Sequence, residues 1–338
     1  MTTEKKAETG RNEPPQEGSP AITTNRENVI LAQSIKSMEI GAPQIYLNMT
    51  VLPLIGREQE TGPEYLTLKE ALEEEVLEVT ELNEGGSVPE LRVRNLSGGS
   101  VLLLDGEELM GAKQNRVLNT SVMVAGQTEV IVPVSCTEQG RWQYKSAQFK
   151  DSGLIMASKI RAAKSQSVSS SLKTSSSYYS NQSLVWNKID DLCKNTNTLS
   201  HTGAMKAAYV QTEDSLAGYR KAFPLLPGQR GLLVFINGRV AGCELLSRST
   251  AYEQVHRKLL DSFALDAVTE QGPASSPISK EKAEEFLHSI LSWRTERFKS
   301  VGQGDDLRLE NCNNHGNALL VEDVVVHAAT FGTEPQNY

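Results

Sequence analysis

Ile45, Leu47, Met49 and Val51 alternate with Tyr46, Asn48 and Thr50, the two-residue period of a half-buried strand, which Pro53 and Gly56 are expected to end. Thr67 and Glu70 then stand at capping-box spacing, so a short helix is predicted from Leu68, followed by strands near Val76–Leu82 and Leu91–Leu96. Val101–Leu104 runs apolar into Asp105-Gly106, a dipeptide that favours the φ > 0 geometry of a tight hairpin, with Glu107 and Glu108 on the return strand. Val117–Val124 and Thr128–Val134 read as two more strands. So many short β segments separated by turns predict a sandwich or barrel-like sheet.

The middle of the chain changes period. Between residues 165 and 180, nine of sixteen residues are serine, with Arg161, Lys164 and Lys173 in or just before the stretch, which reads as a flexible loop or a phosphate-binding lid. Leu184, Val185 and Ile189 mark one helix, and Met205, Ala208, Thr212, Leu216 and Tyr219 mark another. Thr250 and Glu253 repeat the capping-box spacing ahead of Tyr252, Val255, Leu259 and Phe263; Ala283, Phe286, Leu287, Ile290 and Leu291 form a further apolar stripe. Leu232–Ile236, Asn237-Gly238 and Arg239–Leu246 carry the strongest hairpin signal. Strands return at Leu307–Leu309, Ala318–Val321 and Val324–His327.

This order predicts an α+β fold: an antiparallel sandwich or barrel-like sheet from the N-terminal half and the C-terminal strands, around a helical middle. Residues 1–28 carry almost no large apolar side chain and read as a disordered leader. The remainder, 29–338, reads as a single domain: a β-rich part over 29–150, the Ser-rich loop over 165–180, a helical part with one hairpin over 181–300, and closing strands over 301–338.

Composition narrows the partners. The net charge of −8, from 34 Lys and Arg against 42 Asp and Glu, argues against a nonspecific grip on nucleic acid or an acidic membrane. The four cysteines are far apart, without a Cys-x-x-Cys pair, as in reduced thiols of the cytoplasm. No window approaches the ~20 apolar residues of a membrane span. No cofactor motif occurs: there is no P-loop, and Gly302-Gln303-Gly304 is too short for a dinucleotide fingerprint. His315 and His327 lie near Asp305, Asp306, Glu322 and Asp323, but without metal-ligand spacing, so no metal is expected.

The chemistry concentrates between Leu104 and Trp142. Asp105, Glu107 and Glu108 precede Lys113, Gln114, Asn115 and Arg116, so an acid/base could sit beside an anion clamp. Strand alternation sends Glu107 and Glu108 to opposite faces. A second block, Ser135-Cys136-Thr137-Glu138-Gln139-Gly140-Arg141-Trp142, follows a strand and would offer a carboxylate, a phosphate-binding arginine and a stacking indole. Cys136 has no histidine near it in sequence and reads as a core residue.

The blocks L-T-L-K-E-A-L, L-L-L-D-G-E-E-L-M-G-A-K-Q-N-R, V-L-N-T, P-V-S-C-T-E-Q-G-R-W and N-Q-S-L-V-W resemble the ARG and Rhodanese-Phosphatase-superfamily-associated protein family, from about residue 40 to the C-terminus. ARG there denotes ADP-ribosylglycohydrolase. The resemblance implies a link to NAD, ADP-ribose and phosphorylated-ribose metabolism, with no established catalytic residue to carry over.

Two readings follow. In one the protein is a hydrolase of an ADP-ribose-like or phosphorylated-ribose metabolite. Asp105 or Glu108 is its acid/base and Glu138 assists; Lys113, Arg116 and Arg141 bind phosphate; Gln114, Asn115 and Asn119 bind ribose hydroxyls; Trp142 stacks on a ring. In the other it is a non-catalytic module that binds such a ligand or a partner of the ADP-ribosylglycohydrolase type, and the polar blocks recognise it or form a structural network.

Overall fold

In the computed structural model, which describes residues 21–22, 25–57, 60, 62–82, 89–141, 146, 148–270, 272 and 278–332, strands from both ends of the chain share one sheet. Its order is Ala21–Ile22, Arg294–Lys299, Asp305–Glu310, Asn314–Val321, Val324–Gly332, Arg239–Leu246, Gln229–Ile236, Met49–Gly56 and Met38–Ile40, every pair antiparallel. The closing strands thus rejoin the N-terminal strand Met49–Gly56 through the hairpin, and not the sheet that carries the polar motifs. That second sheet runs Lys150–Ile155, Glu107–Met110, Arg116–Leu118, Glu129–Cys136, Glu90–Asn95 and Leu77–Glu81. A small third sheet joins Val122–Val124, Ser100–Leu103 and Tyr65–Thr67, the last pair parallel. The fold is α+β.

Helices α1 (Asn25–Lys36), α2 (Leu68–Glu73), α3 (Ser158–Ser175), α4 (Gln182–Asn195), α5 (Met205–Gln211), α6 (Glu213–Ala222), α7 (Ser249–Thr269) and α8 (Lys280–Ser289) cover the sheets. The large sheet is buried on both faces: Leu232, Val234 and Met49 pack with α4 to α7, while Leu233, Phe235 and Leu52 face α1 and α8. This two-sided burial is why Leu232–Ile236 is apolar at every position. Among the described residues, no helix is long and apolar enough to cross a membrane.

The helix predicted from Leu68 is present with its capping box: Thr67 Oγ1 accepts from Glu70 N–H, and Glu70 accepts from Thr67 N–H at 2.8 Å. Elsewhere single expected elements divide in two. The strand expected across Ile45–Val51 is a tight hairpin, because Leu47 takes a positive φ of 49° and Gln44–Tyr46 folds back on Met49–Gly56, which continues through Pro53. Val117–Val124 splits at Asn119-Thr120-Ser121 into strands of different sheets. The helix expected over Met205–Tyr219 breaks at Thr212 into α5 and α6. Thr250 and Glu253 do not cap α7, which starts at Ser249; the Glu60 carboxylate accepts its first N–H at 2.6 Å.

Three expectations change more. The Ser-rich loop is helical through Ser175: α3 buries Arg161, Lys164, Ser165, Val168 and Leu172 along one face, a helical stripe written mostly in polar residues. Of the expected leader, residues 25–28 open α1, held by Glu27 on Arg297 at 2.7 Å, while 1–20, 23 and 24 lie outside the described residues. Asp105-Gly106 does not close a hairpin. Glu107 N–H donates to Leu104 O at 3.1 Å and the positive φ is confined to Gly106 (86°), the pattern of a type II turn. Such a turn splays its flanks. Ser100–Leu103 therefore enters the small sheet and Glu107–Met110 the motif sheet.

Candidate functional site

The splayed turn drops Asp105 where the motif sheet, α3 and the large sheet meet. Its carboxylate, 1% exposed, forms an ion pair with Lys164 and faces Arg161 at 3.9 Å. Lys164 also donates to Leu118 O at 2.7 Å, and Arg161 pairs with Glu244 of the large sheet. From Glu244 the network runs on through a histidine. His327 Nε2–H donates to Glu244 at 3.0 Å, which leaves Nδ1 to accept from Ser121 Oγ at 2.8 Å, and Ser121 accepts from Asp105 N–H at 2.9 Å. Burial, and then Arg161's charge, hold His327 far below its usual value, at about 3, so the ring is neutral. Asp306 and Arg308, paired at 2.7 Å and both bonded to Thr120, continue the seam.

Ser121, His327 and Glu244 have the hydrogen-bond order of a nucleophile, base and acid. All three are nearly fully buried, and none lines the groove described below. Their hydrogen bonds tie Ser121, just before Val122–Val124 of the small sheet, to two strands of the large sheet. His315, the other histidine considered for a metal, donates through Nε2 to Ala162 O at 2.8 Å, and no three His, Cys, Asp or Glu side chains come together in metal-holding geometry among the described residues.

The remaining acids of the first block separate by face, as alternation requires. Glu107 accepts from Lys258 of α7 at 2.9 Å and from Leu104 N–H at 2.9 Å; burial raises its carboxyl against the pull of Lys258. Glu108 points the other way, accepting from Thr137 Oγ1 at 2.6 Å, and its carboxyl is raised chiefly by burial, with Thr137 opposing.

Both sequence blocks do meet in space. Arg116 lies opposite Cys136 in the sheet, its guanidinium on that thiol, on Gln114 at 3.1 Å and near Glu81 at 3.6 Å. Burial raises the Cys136 thiol, Gln182 brackets its backbone on both sides, and Lys113 lies beside Glu81. Asn119 is buried between Ser135 (2.7 Å) and Tyr178 O (3.0 Å). Arg141 binds Glu138 at 2.5 Å, Asn115 at 2.8 Å and Ala112 O at 3.1 Å. Trp142 lies outside the described residues.

Of the candidate residues, Asn115 and Glu138 line an open groove of about 470 Å³ between this turn and the segment from Thr198 to α5. Glu138 is 7% exposed and accepts from Thr202 Oγ1 at 2.9 Å as well as from Arg141. Ser200, Thr202, Lys206 and Gln211 supply the opposite wall, and Leu199 (97% exposed) and Val210 (67%) stand on the rim. Lys206 donates only to the Met110 thioether, at 3.6 Å, and belongs to no ion pair among the described residues. A groove ammonium with no ion-pair partner among the described residues, within electrostatic reach of the buried Glu108 and beside hydroxyls and a carboxamide, suits an anionic, hydroxyl-bearing ligand. Sequence reasoning missed Lys206, which sits in an ordinary helix start with no local motif. It also missed Lys258 and Glu244, although a lysine on an apolar helical face beside Val255, Leu259 and Ser262 was a visible signal.

Residues 37–331 match the family described as the ARG and Rhodanese-Phosphatase-superfamily-associated Protein domain, and the chain belongs to that family. No curated protein and no solved structure matches it.

Proposed function

Starting from membership of that family, we propose that the protein binds a phosphorylated ribose of the ADP-ribose class in the groove between Glu138 and α5. The observation that carries this reading is Lys206, a groove cation whose ammonium hydrogen-bonds only to a thioether among the described residues and meets the buried Glu108 through its charge alone. In the proposed pose Lys206 engages phosphate. Thr202, Ser200, Asn115 and Glu138 meet the ribose hydroxyls, and Leu199 and Val210 carry the base. The seam around Asp105 and the Arg116 cluster keep the wall rigid rather than touching ligand, because their charges are spent on one another away from solvent.

Titration calorimetry with ADP-ribose and ribose 5-phosphate tests it. A phosphate contact to an ammonium is worth roughly 1.5–3 kcal/mol, so Lys206→Ala weakens binding by about 10- to 100-fold. Unchanged affinity in Lys206→Ala removes the assignment.

A hydrolase reading has one supporting observation. Burial raises the Glu108 carboxyl, with Thr137, Ser152 and Lys206 opposing and the Glu138 charge adding to the rise, which sets a proton-holding acid near a second carboxyl group. Product formation from ADP-ribose that is abolished by Glu138→Gln supports it; saturable binding without product supports the non-catalytic module, alone or beside a partner enzyme.

A further inference from the structure

Met110 ends the strand Glu107–Met110, at the point where it leaves the core and reaches the groove wall. Among the described methionines it alone is partly exposed. Met38 is 7% exposed, and Met49, Met123, Met156 and Met205 are fully buried at 0%. An oxidant reaches sulfur through solvent, so one that enters the groove meets this thioether and leaves the others untouched.

The same sulfur holds the groove's cation. Lys206 Nζ donates to Met110 Sδ at 3.6 Å, and a thioether is only a weak acceptor, so the ammonium is loosely held and open to a better partner. Oxidation supplies one. A methionine sulfoxide is polar, and its oxygen accepts far more strongly than the sulfur it replaces. At 3.6 Å from the sulfur, the ammonium lies within hydrogen-bond reach of an oxygen added there, once the rotatable terminal bonds of the side chain turn it inward. A phosphate must then compete with a built-in acceptor for Lys206.

We infer that Met110 is a reversible oxidation site whose sulfoxide takes up Lys206 and closes the groove to anionic ligand; the closing rests on the proposed function, the oxidation and the capture of Lys206 do not. The oxidant is a hydroperoxide. A lone pair of the sulfur attacks the outer peroxide oxygen, an S–O bond forms as the O–O bond breaks, and the sulfur is oxidised as the peroxide is reduced. The proton on the transferred oxygen passes to the departing hydroxide or alkoxide, which leaves as water or alcohol. Methionine sulfoxide reductases, with thiols as reductant, return both sulfoxide epimers to the thioether and release the oxygen as water.

Hydrogen peroxide treatment of the full chain tests it, in wild type and in Met110→Leu, a swap that keeps side-chain volume and removes the site. Peptide mass spectrometry follows sulfoxide formation and the rate at which an acetylating reagent modifies Lys206; calorimetry follows ADP-ribose affinity. In wild type, sulfoxide forms at Met110 ahead of Met38, Met49, Met123, Met156 and Met205, and Lys206 acetylation slows severalfold because its amine is engaged. ADP-ribose binding weakens by about tenfold, and the reductases reverse all three changes. In Met110→Leu peroxide changes neither acetylation nor affinity, which also removes oxidation of Cys193 and Cys312 as the cause. Met110 oxidised no faster than the buried methionines overturns the inference, as do unchanged Lys206 acetylation in the oxidised protein, changes that the reductases leave in place, or an equal peroxide effect in Met110→Leu. Untreated protein that binds ADP-ribose no better than oxidised protein does overturns the closing. If the untreated protein binds none at all, the proposed function fails, and the sulfoxide and acetylation readings still decide whether Met110 is oxidised and captures Lys206.

Discussion

Two turns that loosely echo each other, each an apolar run into an Asp-Gly or Asn-Gly dipeptide, Leu102–Met110 and Val234–Cys243, end in opposite structures. At Asn237-Gly238 both central residues take positive φ (51° and 74°), and Gln229–Ile236 pairs with Arg239–Leu246 as a true hairpin. At Asp105-Gly106 only the glycine does, and the flanking strands part into different sheets. The difference lies in what the first residue's side chain meets. Asn237 reaches the end of α7 at Glu270, near the surface, whereas Asp105 is taken inward by Lys164 and Arg161. A turn dipeptide sets a preference; a buried counterion decides which turn forms.

The largest effect is expected from Lys164→Met. It leaves Asp105 buried without its main partner, at a cost of roughly 3–5 kcal/mol by denaturant unfolding; a loss within a few tenths of that of a surface substitution would contradict the account. Next is the pH dependence. His327 falls from 6.5 to about 3 in the fold, so its contribution is complete above about pH 6.5 and is lost as pH drops toward 3. Discounting for its coupling to Arg161 and Asp105, roughly 2–4 kcal/mol should disappear across that window, and His327→Gln should flatten the slope. Asp266, raised by burial to about 6, works the other way, gaining stability as pH falls toward 4; the difference between wild type and variant therefore isolates the histidine.

A smaller effect separates the turns themselves. A Cβ on Gly106 adds φ strain and meets the Arg161 side chain, so Gly106→Ala should cost about 2–3 kcal/mol. On Gly238 it meets open space, and only the φ strain of about 1 kcal/mol remains. Equal melting shifts would mean that the two turns are loaded alike.

Period-two and period-3.6 patterns revealed the α+β class, α2 with its capping box, the stripes of α4, α7 and α8 and the hairpin at Asn237-Gly238, because there one apolar face meets one core. They failed at α3, whose buried stripe is Arg161, Lys164, Ser165, Val168 and Leu172. A helix that buries charge against a charged turn looks hydrophilic on every side. The site was legible to the same degree. The polar blocks announced themselves and do meet at Arg116, Cys136 and Arg141, yet a linear pattern cannot say which carboxylates turn inward. Asp105 and Glu107 found cations on α3 and α7, 59 and 151 residues away; Glu138 remained at a groove whose lysine comes from α5.

In the proposed division of roles, Asp105 holds the molecule together and Glu138 meets the ligand. Melting temperature and ADP-ribose affinity, measured side by side for Asp105→Asn and Glu138→Gln, test it most directly. The expected result is a large fall in melting temperature with affinity retained by the folded protein for Asp105→Asn, and a small fall with affinity reduced at least about tenfold, roughly 1.4 kcal/mol, for Glu138→Gln. A stable Asp105→Asn that no longer binds or turns over ADP-ribose, beside a Glu138→Gln that binds normally, would contradict it.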